Sequence, residues 1–134
     1  MKLYFKKFNK KNLVFPFILL LIFAAILINS TVFAVNKPRV ILFCTKWNAK
    51  CKNVRPVLES VINTYNNKVD LMELDLDQNT TPEKARSMRI IIPREIPYIV
   101  VIGKNENIIA EKAYHGESPE QLKSEMDQVI LPQL

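Results

Sequence analysis

The chain has 134 residues, 49% of them hydrophobic, and a formal net charge of +6. That length accommodates one domain of ordinary size plus a short appendage and excludes a second core. The charge is confined to the start: five of the 19 basic residues (Lys2, Lys6, Lys7, Lys10 and Lys11) precede residue 35, leaving 14 against all 13 acidic ones, so the remainder carries +1 and offers no basic face for a nucleic-acid backbone.

From Leu13 to Val35 there is no charged residue, and the lysines before this stretch complete the basic and apolar parts of a signal peptide. Val32-Phe33-Ala34 supplies a small residue for cleavage after Ala34. The same stretch is long enough to cross about 30 Å of hydrocarbon as a helix, with the lysines holding its N-terminus inside. Two readings therefore stand for residues 1–34, a cleaved signal peptide or a retained membrane anchor. Either delivers residues 35–134 to an extracytoplasmic location: secreted, periplasmic, or held on the outer face of the cytoplasmic membrane. Both cysteines, Cys44 and Cys51, fall in the exported part, where a pair is readily oxidised. With His115 as the single histidine they cannot close a zinc site, and no metal or organic cofactor is implied.

Arg39 to Cys44 reads as a buried strand through Val40, Ile41, Leu42 and Phe43. From Asn48 to Asn66, Cys51, Val54, Val57, Leu58, Val61, Ile62 and Tyr65 follow the spacing of one helical face, with Asn48 as N-cap and Pro56 as an internal kink. Val69 to Leu76 has mostly alternating strand character, with Asp75 and Asp77 marking a solvated strand end. Thr81-Pro82-Glu83 predicts a helix to about Met88, with Thr81 as cap and Pro82 at its first position. Ile90 to Ile92 is ambiguous between strand and buried turn. Tyr98 to Ile102 and Asn107 to Ala113 form a hairpin through Gly103-Lys104-Asn105-Glu106. Ser118-Pro119-Glu120-Gln121 is a capping box that opens a last helix with Leu122, Met126, Val129 and Ile130 on one face. The order βαβαββα predicts an α/β domain with a mixed central sheet of about four strands and helices on both faces.

Phe43-Cys44-Thr45-Lys46-Trp47-Asn48-Ala49-Lys50-Cys51-Lys52 resembles the active-site segment of the thioredoxin family, where a strand end leads into Trp-Cys-x-x-Cys-Lys at a helix start. Pro56 matches that family's helix proline, Leu74 to Asn79 its central strand and exit, Arg94-Glu95-Ile96-Pro97 its cis-proline loop, and Gly116 its loop glycine. The likeness covers about residues 39 to 130, lacks the family's first strand and helix, and carries a few extra residues near Ile90 to Pro93. It implies a thioredoxin-like fold. It also exposes a departure: the family's attacking cysteine, whose thiolate the helix amides stabilise, is replaced by Asn48, and Leu42 stands where the family has a buried acid.

Three readings of Cys51 remain: a buried thiol on the helix's core stripe, a disulfide with Cys44, or a lone exposed nucleophile. Strand alternation puts Leu42 and Cys44 on one face, which the resemblance turns toward the Cys51 helix. A bridge closing so short a loop contributes roughly 2.5 kcal/mol if the Cα atoms lie within about 7 Å. Trp47, Asn48, Ile96 and Pro97 are the candidate substrate-binding residues, because in the family the backbone before the cis proline pairs with an extended peptide. Tyr114 reads as rim packing and His115 as a solvated loop residue. Two functions follow: a thiol-disulfide protein with an altered centre at Cys51 and Cys44, or a non-enzymatic module that binds an extended protein segment. The expected partners are such a segment and, if the leader is uncut, the membrane.

Overall fold

The computed structural model describes residues 36–134. The signal or anchor over 1–34 lies outside the described residues, and among the described residues no helix is long and apolar enough to cross a membrane. Four strands, β1 (Arg39–Cys44), β2 (Asp70–Asp75), β3 (Tyr98–Ile102) and β4 (Ile108–Ala113), form one sheet in the order β2-β1-β3-β4. β1 runs parallel to β2 and antiparallel to β3, and β3 pairs antiparallel with β4. Among the described residues the sheet is joined by three α-helices, α1 (Ala49–Asn63), α2 (Thr81–Ser87) and α3 (Pro119–Ile130), and a short 3-10 turn at Leu131–Gln133. A mixed sheet with the predicted element order is thus present.

The period-two geometry of strands splits β1 between two cores. Val40, Leu42 and Cys44 join Cys51, Val54, Leu58, Val61 and Ile62 of α1 and Leu122, Met126 and Ile130 of α3 on one face. Ile41 and Phe43 join Leu74, Ala85, Ile90, Val100 and Ile102 on the other. β1 is therefore buried on both sides, as its continuous apolar run requires.

Several boundaries differ from the sequence reading. α1 stops at Asn63, and the chain turns through Asn66 and Asn67 at φ 51° and 61°, a left-handed conformation that asparagine tolerates. β2 is an edge strand whose Leu71 and Met72 are exposed, so only Leu74 and Asp75 at its end are buried. Thr80, not Thr81, is the cap residue of α2, and the Thr81 hydroxyl donates instead to the Asp75 carbonyl. Ile90 to Ile92 form neither strand nor buried turn: Ile90 is in the core while Ile91 and Ile92 are exposed. The capping box of α3 forms as predicted, Ser118 Oγ accepting from Gln121 N and the Gln121 side chain accepting from Ser118 N.

Candidate functional site

The site lies where β1 ends and α1 begins, joined by Thr45 to Asn48. Cys44 is the last residue of β1 and Cys51 lies in the first turn of α1, so both point into the core between sheet and helix. Their sulfurs are at disulfide distance with Cα atoms 5.6 Å apart, close to the ordinary span of a bridge. Both residues have 0% exposure. Full burial speaks against the lone exposed nucleophile, and the approach of the two sulfurs favours the pair over a free buried thiol.

Asn48 caps α1. Its backbone is extended (φ −75°, ψ 119°), and its Oδ1 accepts hydrogen bonds from Lys50 N at 2.9 Å and Cys51 N at 3.3 Å. These are helix-terminal amides that would otherwise lack partners. The Asn48 side chain thus satisfies two of the donors at the helix terminus. Leu42 is buried in the same core and cannot transfer a proton. The surroundings of Cys51 are apolar and capped rather than electropositive and open.

Trp47 projects outward with 71% exposure, its indole N–H donating to Asp77 Oδ1 at 3.3 Å. The role of Asp77 was not legible beforehand, since the two residues are 30 positions apart and nothing in the local pattern links them. Asp75 corrects the expectation of a solvated strand end: it is 8% exposed, accepts Asp77 N at 3.0 Å and stands 3.8 Å from Lys46 Nζ. Thr45 is likewise buried, and its hydroxyl has no hydrogen-bond partner among the described residues.

The Ile96-Pro97 bond is cis. Pro97 is buried, and its carbonyl is taken by Tyr114 N at 2.9 Å. Ile96 is half-buried, and neither its N–H nor its carbonyl bonds another backbone group among the described residues. Gly116, at φ 102°, follows in a conformation that disfavours any side chain. Tyr114 is more than rim packing: it is buried and its hydroxyl donates to the Glu117 carbonyl at 2.9 Å. His115 is exposed, with Nδ1 3.8 Å from Glu95 Oε1. Burial would raise the Glu117 pKa, but hydrogen bonds from Lys112 and from backbone amides, including that of His115, outweigh it and hold the carboxyl down at about 2. Among the described residues no group of three or more His, Cys, Asp or Glu side chains is gathered as metal ligands would be.

The family model described as thioredoxin matches residues 24–128, so the match begins within the uncharged stretch from Leu13 to Val35. Thioredoxin of Staphylococcus haemolyticus is 30% identical over 70 residues, covering 52% of this chain and 62% of that protein. Thioredoxin of Mycobacterium bovis is 35% identical over 66 residues, 49% of this chain and 53% of that protein. The chain thus spans less than two thirds of each of these relatives. Among solved structures, thioredoxin O2 of Arabidopsis thaliana in its oxidised state superposes with a TM-score of 0.55 at 23% identity, covering 71% of this chain and 76% of that one. Thioredoxin-2 of a malaria parasite, described as a component of its protein secretion machinery, gives 0.55 at 25% identity, over 69% and 84%. With the fold, the cis-proline loop and the family match in agreement, the chain belongs to the thioredoxin family.

Proposed function

We propose that this protein is a thioredoxin-fold binding module, delivered outside the cytoplasm by its leader, in which Cys44 and Cys51 serve as a buried staple and the rim formed by Trp47, Ile96 and Pro97 receives an extended protein segment. The observation that carries the reading is the full burial of both paired cysteines while Asn48 occupies the helix terminus. A disulfide must be reached in line by an attacking thiolate, and a pair with no exposed surface offers no approach. The uncommitted backbone of Ile96 and the outward Trp47 support the docking role. An oxidising compartment suits a lasting disulfide, which supports export.

A second reading, thiol-disulfide exchange through a relocated pair, is favoured by the pair's position at the strand-to-helix junction where the family does its chemistry. One experiment separates the two. Trp47 is the single tryptophan and reports directly on the rim. Titration with reduced, carboxymethylated ribonuclease A, an extended chain with neither free thiols nor tryptophan, should give a saturable change in its emission. The change should be unaltered in Cys44→Ala/Cys51→Ala and lost in Ile96→Arg. Absence of any change, together with turnover in an insulin-reduction assay, would favour exchange chemistry.

A further inference from the structure

The segment between α2 and the cis proline makes a surface unrelated to the disulfide. Just past α2 and its cap Met88, Arg89 adopts φ 58°, and Ile90 N then bonds back to the Ala85 carbonyl at 2.9 Å while Arg89 N bonds that of Arg86. This closure buries Ile90 beneath the sheet and turns the next residues outward. Ile91 is 90% exposed and Ile92 39% exposed. A hollow flanks them on each side, one bounded by Pro82, Arg86 and Arg89 and the other by Arg94 and Tyr98. Arg86, Arg89 and Arg94 are all exposed, and none joins an ion pair among the described residues. Of the nearby acids, Glu95 reaches toward His115, Glu83 lies at the opposite end of α2, and Glu111 and Glu106 line hollows beside Arg94 and Arg89 without pairing with them.

Two branched apolar side chains standing proud between three unpartnered guanidinium groups match a bilayer, where the apolar tips enter the acyl boundary and the arginines meet anionic headgroups. Arg39, at the start of β1, reaches the C-terminal end of α2, its guanidinium 3.9 Å from Met88 Sδ. We propose that the Ile91-Ile92 ridge and its three arginines dock the domain onto an anionic phospholipid surface. The leader reading supplies proximity to that surface, and the ridge supplies orientation.

The test uses the full chain with an environment-sensitive fluorophore on Ile91→Cys, or on Ser124→Cys, an exposed position of α3 across the sheet. Each is mixed with vesicles of phosphatidylcholine alone or of equal parts phosphatidylcholine and phosphatidylglycerol, and quenched with neutral acrylamide. The label at 91 should shift to the blue and become protected on the anionic vesicles only, whereas that at 124 stays quenchable on both. Replacing each arginine by alanine should weaken the protected population about fivefold. Equal quenching at 91 on both vesicle types would overturn the proposal and leave the ridge to a soluble acidic partner. Failure to float with phosphatidylcholine vesicles would instead count against the anchored leader, and protection at 91 on the anionic ones would still uphold the ridge.

Discussion

Breaking the Cys44-Cys51 bridge gives the sharpest energetic prediction. The bond joins residues seven apart in sequence and so closes a loop of about eight, for which the chain-entropy treatment gives about 2.5 kcal/mol. In a domain of about 100 residues each kcal/mol moves the melting midpoint by about 4–8 °C, so loss of the cross-link should lower Tm by about 10–20 °C. Chain unfolded in a phosphine reductant and refolded in its presence isolates this effect, because both sulfur atoms remain in the core. Cys44→Ala/Cys51→Ala should fall further, by up to about 1 kcal/mol for each buried sulfur removed. Melts followed by circular dichroism and by Trp47 emission would measure both. A fall of less than about 3 °C on reduction would refute the view that the bridge is a structural staple.

Other outcomes follow from the same site. Asn48→Ala removes the acceptor for Lys50 N and Cys51 N and should cost about 1 kcal/mol in urea unfolding, while Asn48→Ser should retain most of it. Asn48→Cys places a thiol at the start of α1 and should alkylate with a pKa below the ordinary value of about 8.5; a rate profile centred at or above that value would show that the helix terminus no longer activates a sulfur. The folded-state pKa of Glu117 lies below its unfolded value of 4.5, so its contribution is complete above that pH and is lost as pH falls toward about 2. Acid titration of stability should therefore flatten in Glu117→Gln across that window, and an unchanged profile would contradict the assignment. Arg55 and Glu73 make a two-pronged contact between α1 and β2, but both are partly exposed, so Arg55→Ala should cost no more than about 1 kcal/mol.

Much of this architecture was legible because its signals were periodic and local. The apolar run Val40 to Phe43 specified a strand buried on both faces, the Cys51-Val54-Leu58 stripe specified the core face of α1, and Ser118 with Gln121 fixed the start of α3. The resemblance to the thioredoxin family led to Ile96-Pro97, which no periodicity would have singled out. What escaped depended on contacts distant in sequence. Asp75 looks solvated in its own neighbourhood but is covered by Thr81 and by the Cys44 end of β1. The hydrophobic Ile91 was placed by the Arg89 turn rather than by its own character. Cys51 could not be assigned from its helix stripe, because a buried thiol and a buried disulfide share that pattern. Only the approach of β1 to α1 distinguishes them.

The central claim is that the disulfide is sequestered, and its most direct test is the rate at which dithiothreitol reduces it in the native chain, compared with the same chain in urea. The account predicts that native reduction is slower by about a hundredfold or more, since it must await local opening of the β1-α1 junction. Native reduction as fast as that of the unfolded chain would contradict it and return Cys44 and Cys51 to the role of an accessible redox pair.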